Sequence, residues 1–278
     1  MSLSATSPTE RERRALPYEL AHDPVQVGPR DEVVVLLGPI GADRSTWATQ
    51  VGALSERGLT ALALDLRGHG QSPKPQGPYT MEALAEDVQT TLDGLGIPSA
   101  HLVGLSMGGA VAQQLAITAP ARVTTLTLIS TSARFGEPET WLRRAAAVRA
   151  EGTAMIADAL EGRWLSPSYC AQHPAVLAGL RTMVLNADRE GYAACAEALA
   201  RWDARAQLDK ISAPTLVIGG ADDPSTTPAA LRDLASAIPG ARHVTVDGRH
   251  LVNVERAGAT SDLIADHVRR AGCGPAPD

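Results

Sequence analysis

One pentapeptide in the sequence combines residue types that suit covalent catalysis: Gly104-Leu105-Ser106-Met107-Gly108. A serine hydroxyl attacks a carbonyl carbon when a base takes its proton, and in G-x-S-x-G a sharp strand-to-helix turn presents the serine. Residues 101–105 have the pattern of a buried strand, and residues 110–119 have that of a helix. This context favours a nucleophile over an incidental serine in a glycine-rich turn. We therefore predict that Ser106 is a catalytic nucleophile.

The base that activates such a serine is expected to be a histidine held by an acid, and both follow the nucleophile in the chain. Of the seven histidines, three precede Ser106, and three others fall in a helix-rich segment, a predicted strand and a predicted helix. His250 lies in the loop between the last predicted strand and the last predicted helix. Such loops, at the carboxyl ends of parallel strands, are where ligands bind. We predict that His250 is the base.

Two neighbouring aspartates, Asp222 and Asp223, follow a strand predicted at residues 215–218. Adjacent side chains on a turn point in different directions, so only one of the two can reach the imidazole. The acid is expected three residues after the glycine that ends the strand, and we take that glycine to be Gly220. We therefore predict Asp223 as the acid. Asp222, counted from Gly219, is the alternative and is otherwise expected to brace the turn.

Two backbone N–H groups are expected to stabilise the negative charge that develops on the carbonyl oxygen. One belongs to Met107, directly after the nucleophile. The other comes from the loop after the first buried strand, Gly38-Pro39-Ile40-Gly41. Since proline has no N–H, we predict Ile40 as the second donor.

A further polar stretch, Asp65-Leu66-Arg67-Gly68-His69-Gly70-Gln71-Ser72, precedes the nucleophile. Because its histidine comes before Ser106 in the chain, we do not expect it to be the base. We expect Asp65 and Arg67 to pin this loop beside the site, and His69 to have a structural role.

The elements that position these residues alternate in type along most of the chain. Continuous apolar runs predict strands buried on both faces, hence a mostly parallel central sheet flanked by helices in an α/β fold. The runs are at residues 33–37, 59–66, 101–105, 123–129, 215–218 and 243–246. Helices are predicted between them and at residues 259–270.

The alternation stops between residues 136 and 205, where only helices are predicted. Six of the nine aromatic residues fall between positions 133 and 205, so this segment differs in kind from the rest. We predict an α/β core interrupted by a helical lid. The predicted boundaries are 1–135 and 206–278 for the two parts of the core and 136–205 for the lid, with flexible tails at 1–15 and 271–278.

Composition and charge exclude several classes of partner. The 278 residues include 31 Asp and Glu against 25 Lys and Arg, a net charge of −6, which argues against nucleic acid and anionic membrane surfaces. No segment approaches the roughly 20 apolar residues that span a bilayer, and the polar N-terminus does not resemble a signal peptide, so we expect a cytoplasmic protein. The three cysteines have neither metal-ligand spacing nor an even number, so no metal and no disulfide framework are expected.

Residues 30–270 resemble the bacterial 3-oxoadipate enol-lactonases of the α/β-hydrolase fold. The matching stretches are DLRGHGQSPKPQGPYTMEALAEDV, HLVGLSMGGAVAQQLA, ETWLRRAAAVRAEG, DREGYAACAEAL, APTLVIGGADDPSTTP and HLVNVE. The resemblance implies an α/β-hydrolase fold with a helical lid inserted after the sixth strand. It also implies hydrolysis of an enol-lactone through an acyl-enzyme, without a cofactor. One departure is Gly38-Pro39, where such lactonases usually carry an Asn-Ser pair.

The substrate that the resemblance implies is a small molecule with a free carboxylate. We expect Arg134 to bind that carboxylate and Trp141 to form an apolar wall against the ring. Another lid cation, Arg143, Arg144 or Arg163, is the alternative to Arg134. The same triad would also serve a carboxylesterase or a carbon–carbon bond hydrolase. A non-hydrolytic protein that uses the fold as a binding pocket is a third hypothesis.

Overall fold

The computed structural model describes residues 15–20 and 32–272, and within them seven strands form one sheet. The strands are β1 Tyr18–Leu20, β2 Val33–Leu37, β3 Thr60–Leu64, β4 Ala100–Leu105, β5 Val123–Ile129, β6 Thr215–Gly220 and β7 Arg242–Val246. Their order across the sheet is β1-β3-β2-β4-β5-β6-β7. Strand β1 runs antiparallel to β3, and all other neighbours are parallel. The mostly parallel α/β sheet predicted from the sequence is confirmed.

Both faces of the sheet are buried, which explains the unbroken apolar runs of its strands. Successive side chains of β2 point to opposite faces: Val33, Val35 and Leu37 join one hydrophobic core, and Val34 and Leu36 join the other. Helices cover both cores. They are α1 Ala48–Glu56, α2 Met81–Gly94, α3 Met107–Thr118, α4 Pro138–Glu151, α5 Ala154–Asp158, α6 Leu160–Arg163, α7 Pro167–Gln172, α8 Pro174–Leu185, α9 Arg189–Arg201, α10 Pro228–Ala237, α11 Val252–Glu255 and α12 Ala257–Gly272.

The parallel strands end at one edge of the sheet, and their register brings the following loops together there. Leu37 at the end of β2 pairs with Gly104 of β4, and Leu105 pairs with Ile129 of β5. At the far side, Gly220 of β6 pairs with Val246 of β7. The loops after β2, β4, β6 and β7 therefore meet at this edge, and they carry the residues for which the sequence predicts chemistry.

Helices α4 to α9 lie between β5 and β6, in a stretch that is described throughout. Helices α4 and α9 pack side by side, and Arg149 of α4 forms an ion pair with Glu190 of α9 at 2.7 Å. In the described residues this helical segment follows the fifth strand. Its expected place after a sixth strand stays a prediction, because residues 1–14 and 21–31 lie outside the described ranges.

The ends of the predicted elements differ from the structure by a few residues. The last helix extends to Gly272, two residues past the predicted end, and the helix after Ser106 begins at Met107 instead of Ala110. Of the two tails that we expected to be flexible, residues 1–14 and 273–278 lie outside the described ranges. The domain boundaries at 135 and 205 stay predictions.

Candidate active site

Ser106 lies between β4 and α3 on a turn with unusual backbone geometry. Its φ of 54° and ψ of −114° are angles that side chains other than glycine rarely adopt. The turn is so tight that a Cβ atom on Gly104 would collide with the backbone of Gly108, and one on Gly108 with the carbonyl group of Leu37. The two flanking glycines are therefore required by packing.

Two hydrogen bonds hold the strained residue in place. The Ser106 N–H donates to the Ile129 carbonyl at 2.9 Å, and the Thr131 hydroxyl donates to the Ser106 carbonyl at 2.6 Å. Backbone strain of this kind persists where the surroundings over-determine the conformation, and it concentrates at functional sites. The serine side chain is positioned by β5 and its following loop as well as by its own turn.

His250 and Asp223 form a buried pair beside this turn. The His250 Nδ1 atom lies 2.8 Å from Asp223 Oδ2, and both residues are buried. Since the carboxylate accepts, Nδ1 carries the proton, and Nε2 has a free lone pair with which to accept one. Asp222, the alternative acid, is exposed. The structure therefore places Asp223 and not Asp222 against the imidazole.

Hydrogen bonds keep the Asp223 carboxylate charged. Its Oδ1 accepts from the N–H groups of Ser225 at 2.7 Å and Thr226 at 3.2 Å, and its Oδ2 accepts from the Thr226 hydroxyl at 2.6 Å. Burial raises the pKa of Asp223, but the bonds from His250, Thr226 and Ser225 outweigh burial, and the net shift is downward. The carboxylate is ionised at neutral pH and can stabilise a protonated His250.

The loop that carries His250 is tied to the helical segment. The buried Glu255 carboxylate accepts from the N–H of Arg249 at 2.6 Å and from that of Ser166. In addition, the Leu251 N–H donates to the Trp164 carbonyl at 2.9 Å. The sequence motif HLVNVE contained Glu255, but sequence reasoning assigned it no role, because its partner Ser166 is distant in the chain.

Two backbone N–H groups near Ser106 have no hydrogen-bond acceptor among the described residues. They belong to Met107, the first residue of α3, and to Ile40, in the loop after β2. The two segments are joined by the Gly108 N–H, which donates to the Gly38 carbonyl at 3.1 Å. Unused donors on a fixed backbone are suited to stabilising a negative oxygen.

Ser106, Ile40 and His250 line one cavity of about 420 Å³ at the carboxyl edge of the sheet. The opposite wall comes from the helical segment and the chain that leads into it. That wall is mainly apolar and aromatic. It includes Phe135, Trp141, Met155, Ile156, Trp164 and Tyr192.

Two arginines of the helical segment, Arg144 and Arg163, also line this cavity. Neither forms an ion pair with a carboxylate of the described residues. The guanidinium carbon of Arg144 lies 4.4 Å from the centre of the Trp141 ring, a cation–π contact. Burial and the positive charge of Arg144 lower the pKa of Arg163, yet a guanidinium stays charged in proteins. The cavity therefore holds two positive charges, and Glu137 is the one carboxylate among the described residues that line it.

Arg134, the cation predicted to bind substrate, is not among the residues that line the cavity. Its guanidinium pairs with Glu137 at 3.2 Å, and the side chain is about one third exposed at 32%. Trp141, the predicted apolar wall, does line the cavity, with its Nε1 donating to the Phe135 carbonyl at 2.6 Å. The geometry thus favours Arg144 and Arg163, two of the alternatives to Arg134.

Tyr192 of α9 is a cavity residue that sequence reasoning missed. It is buried, and its ring packs on Gly41, where an added Cβ atom would lie 3.0 Å from Tyr192 Cε2. Burial raises the pKa of Tyr192, against the opposing effect of Arg144 and Arg163 nearby. The hydroxyl stays protonated at neutral pH. The concentration of aromatic residues in this segment was the only signal for it in the sequence.

The stretch from Asp65 to Ser72 lies beside the site and not in its cavity. The Asp65 carboxylate accepts from the Gln71 N–H at 2.9 Å and the Arg44 N–H at 2.7 Å, and Arg67 pairs with Asp87. Within residues 15–20 and 32–272, no cluster of His, Cys, Asp or Glu side chains is arranged to hold a metal ion. Over the same ranges, no helix has the length and hydrophobicity to cross a membrane.

Comparison with known proteins agrees with the observed fold. Residues 32–257 match the family model of the α/β hydrolase fold. A 3-oxoadipate enol-lactonase of Acinetobacter baylyi is 36% identical over 237 residues, which cover 85% of this chain and 88% of the relative.

Two solved structures are also similar. An enol-lactonase from Burkholderia xenovorans shares 41% identity, with a TM-score of 0.87 and coverage of 91% and 96% of the two chains. A malate-bound thermophilic esterase from Thermogutta terrifontis shares 32% identity, with a TM-score of 0.85 and coverage of 92% and 93%. The chain is therefore a hydrolase of the α/β-hydrolase fold and belongs to the family of the 3-oxoadipate enol-lactonases.

Proposed function

We propose that this protein opens a small enol-lactone that bears a carboxylate, through an acyl-enzyme on Ser106, with 3-oxoadipate enol-lactone as its substrate. One observation carries the proposal. The cavity that contains Ser106 and His250 also contains two arginines without a carboxylate partner among the described residues. A reactive ester carbonyl and a free carboxylate of one small molecule could therefore be bound together.

In the proposed reaction, Ser106 Oγ attacks the lactone carbonyl carbon while His250 Nε2 takes the hydroxyl proton. The N–H groups of Ile40 and Met107 stabilise the oxyanion of the tetrahedral intermediate. When the intermediate collapses, the ring C–O bond breaks and the leaving enol oxygen takes the proton from His250. The enol then becomes the ketone, which makes ring opening favourable.

The acyl-enzyme is released by water in the second half of the reaction. His250 removes a proton from the water, whose oxygen attacks the acyl carbon, and the proton passes to Ser106 Oγ as that bond breaks. Asp223 stays ionised and holds the Nδ1–H of His250 throughout, which fixes the tautomer and stabilises the imidazolium. These steps use groups of the chain alone and need no cofactor.

The substrate class is supported by the cavity and by the relatives. About 420 Å³ suits a small ring compound, and the aromatic wall around Trp141 suits its apolar part. The relatives of A. baylyi and B. xenovorans are named as enol-lactonases, and the structure of the related esterase is described as malate-bound, malate being a dicarboxylate. Arg144 and Arg163 are the groups that we propose for the substrate carboxylate.

The test compares four substrates: the carboxylate-bearing enol-lactone, its methyl ester, a simple neutral ester and a vinylogous diketone. We expect the highest kcat/KM for the charged lactone, and loss of about 10³-fold or more in Ser106→Ala. Mass spectrometry of the acid-quenched reaction should find the acyl group on the peptide that contains Ser106. A preference for the diketone would instead indicate a carbon–carbon bond hydrolase. Equal rates on charged and neutral lactones would contradict the role of the arginines.

A further inference from the structure

A histidine outside the catalytic cavity binds the loop that carries Ile40. The Gly41 N–H donates to His69 Nε2 at 2.8 Å, although the two residues are 28 positions apart in the chain. His69 is buried and belongs to the polar stretch between Asp65 and Ser72, which the proposed reaction does not use. The contact therefore links two segments of which only one lines the cavity of Ser106.

The hydrogen bonds of His69 fix its tautomer. Its Nδ1 lies 3.2 Å from the Arg67 carbonyl, which can only accept, so Nδ1 carries the proton. Its Nε2 then accepts from the Gly41 N–H. A protonated ring would present a second N–H to the Gly41 N–H, and the bond would be lost. Only the neutral ring with the proton on Nδ1 satisfies both partners.

The surroundings of His69 favour that neutral ring. Burial lowers the pKa of His69, and the positive charge of Lys74 acts in the same direction. The Arg67 carbonyl and the negative charges of Asp65 and Asp43 oppose these effects, and the net shift is downward. Asp65 is itself paired with Arg44, which reduces its pull on the histidine. The acceptor at Nε2 is therefore available at neutral pH.

Ile40 lies between two anchored peptide groups. On its N-terminal side, the Gly38 carbonyl accepts from the Gly108 N–H at 3.1 Å. On its C-terminal side, Gly41 has a φ of 84°, and the Ala42 N–H donates to the Pro39 carbonyl at 3.3 Å, which closes a turn around Ile40. The central peptide of such a turn, which joins Ile40 to Gly41, can adopt two flipped orientations. The direction of the Gly41 N–H differs between them. That N–H is the one bound by His69.

We propose that His69 is a positioning residue for the oxyanion hole, which holds the Ile40 N–H in place through the adjacent Gly41 peptide. The inference rests on the proposed function, because it assumes that the Ile40 N–H stabilises a negative oxygen. Loss of one oxyanion donor lowers kcat by about 10²–10³-fold in a well-studied protease. A substitution that loosens this donor without removing it should lower kcat by less, about 10- to 100-fold.

Two substitutions distinguish the role of the acceptor atom, His69 Nε2, from that of the rest of the ring. In His69→Gln, the side-chain amide reaches the position of Nε2, so its oxygen can accept from the Gly41 N–H. In His69→Asn, the shorter amide reaches only the position of Nδ1 and leaves Gly41 without its acceptor. His101→Asn is the matched control. Like His69, His101 is buried and hydrogen-bonded, with its Nδ1 2.9 Å from the Thr125 hydroxyl, but it lies within β4.

Three quantities are measured below the unfolding temperature of each variant. They are kcat/KM for the carboxylate-bearing lactone, the rate constant for inactivation by a fluorophosphonate, and the dissociation constant of adipate. We expect His69→Asn to lower the first two about 10- to 100-fold, because both reactions develop a negative oxygen in the hole. Adipate binding should change less than about threefold, since its carboxylates need no oxyanion hole. His69→Gln and His101→Asn should stay within about threefold of wild type in all three.

The inference is overturned if His69→Asn and His69→Gln are equally active, or if adipate binding weakens in parallel with the rates. The former result would show that the acceptor at Nε2 is irrelevant, and the latter that His69 supports the cavity as a whole. Failure of the proposed function looks different. A wild-type protein that reacts with the fluorophosphonate but hydrolyses no carboxylate-bearing lactone would refute the substrate, and the His69 comparison would still be decided by the inactivation rates.

Discussion

Replacing Arg163 or Arg144 with glutamine should weaken the hydrolysis of a charged lactone and leave a neutral one almost unchanged. Both guanidinium groups line the cavity without a carboxylate partner among the described residues, and the positive charge of Arg144 helps to lower the pKa of Arg163. A substrate carboxylate would supply the missing counter-charge. A hydrogen bond to a charged group contributes about 1.5–3 kcal/mol, which corresponds to a loss of about 10- to 150-fold in kcat/KM.

The assay uses one ring system in two forms, the free carboxylate and its methyl ester. We expect Arg163→Gln to raise KM for the carboxylate form more than it lowers kcat, because the contact is present in both ground state and transition state. For the methyl ester, the change should stay within about threefold. Arg134→Gln is the matched control, since Arg134 pairs with Glu137 but does not itself line the cavity, and it should leave both forms within about threefold of wild type.

Two results would refute this reasoning. Equal losses on the carboxylate and on the methyl ester would show that Arg144 and Arg163 hold the helical segment together and do not bind substrate charge. A selective loss in Arg134→Gln, with Arg163→Gln unaffected, would restore the interpretation made from the sequence. In that case the helical segment would have to pack differently around substrate.

Three further predictions concern the elements around the cavity. The free energy of unfolding in urea should be about 1 kcal/mol higher for Ser106→Gly than for Ser106→Ala, because glycine adopts the strained φ of 54° more easily. Equal urea midpoints for the two variants would argue against strain. Asp223→Asn should lower kcat by about 10³–10⁴-fold through the wrong tautomer of its partner histidine, whereas the exposed Asp222→Asn should cost little, and the reverse order would show that the acid is misassigned. Gly38→Asn should stabilise the fold by about 1 kcal/mol, since a Cβ there lies 3.7 Å from the buried, unpaired Nε1 of Trp47; an unchanged thermal midpoint would mean that the indole already has a water partner.

Much of the fold could be predicted from the sequence because the patterns that specify it are local. The apolar runs of β2 to β7 and the glycines around Ser106 depend on neighbours within a few residues. The strand-to-helix turn at Ser106 therefore falls where the motif indicates. The choice between the two aspartates after β6 was harder to predict, because it depends on which side chain points inward. In the structure Asp223 points toward His250.

The cation that faces the cavity could not be predicted, because it depends on how the helical segment packs on the core. Arg134 lies before α4, next to the sheet in sequence, but its side chain pairs with Glu137 and does not line the cavity. Arg144 lies within α4 and faces Trp141. Arg163 follows a kink in α6, where Gly162 has a φ of 83° that turns the chain. No periodicity in the sequence marks such a kink, so proximity in the chain was a poor guide.

The ties between the His250 loop and the helical segment affect how substrate range could be redesigned. Glu255 bonds to Ser166, and Leu251 bonds to Trp164, so residues 164–166 and the histidine loop form one hydrogen-bonded unit. A chimera that imports this part of the segment from a relative must import the matching histidine loop too, or the buried Glu255 carboxylate loses a donor. Helices α4 and α5, which supply Trp141, Arg144, Met155 and Ile156 to the cavity, are not part of this unit. They are the natural place for recombination, since exchanging residues 138–158 alters the cavity wall while His250 keeps its own supports.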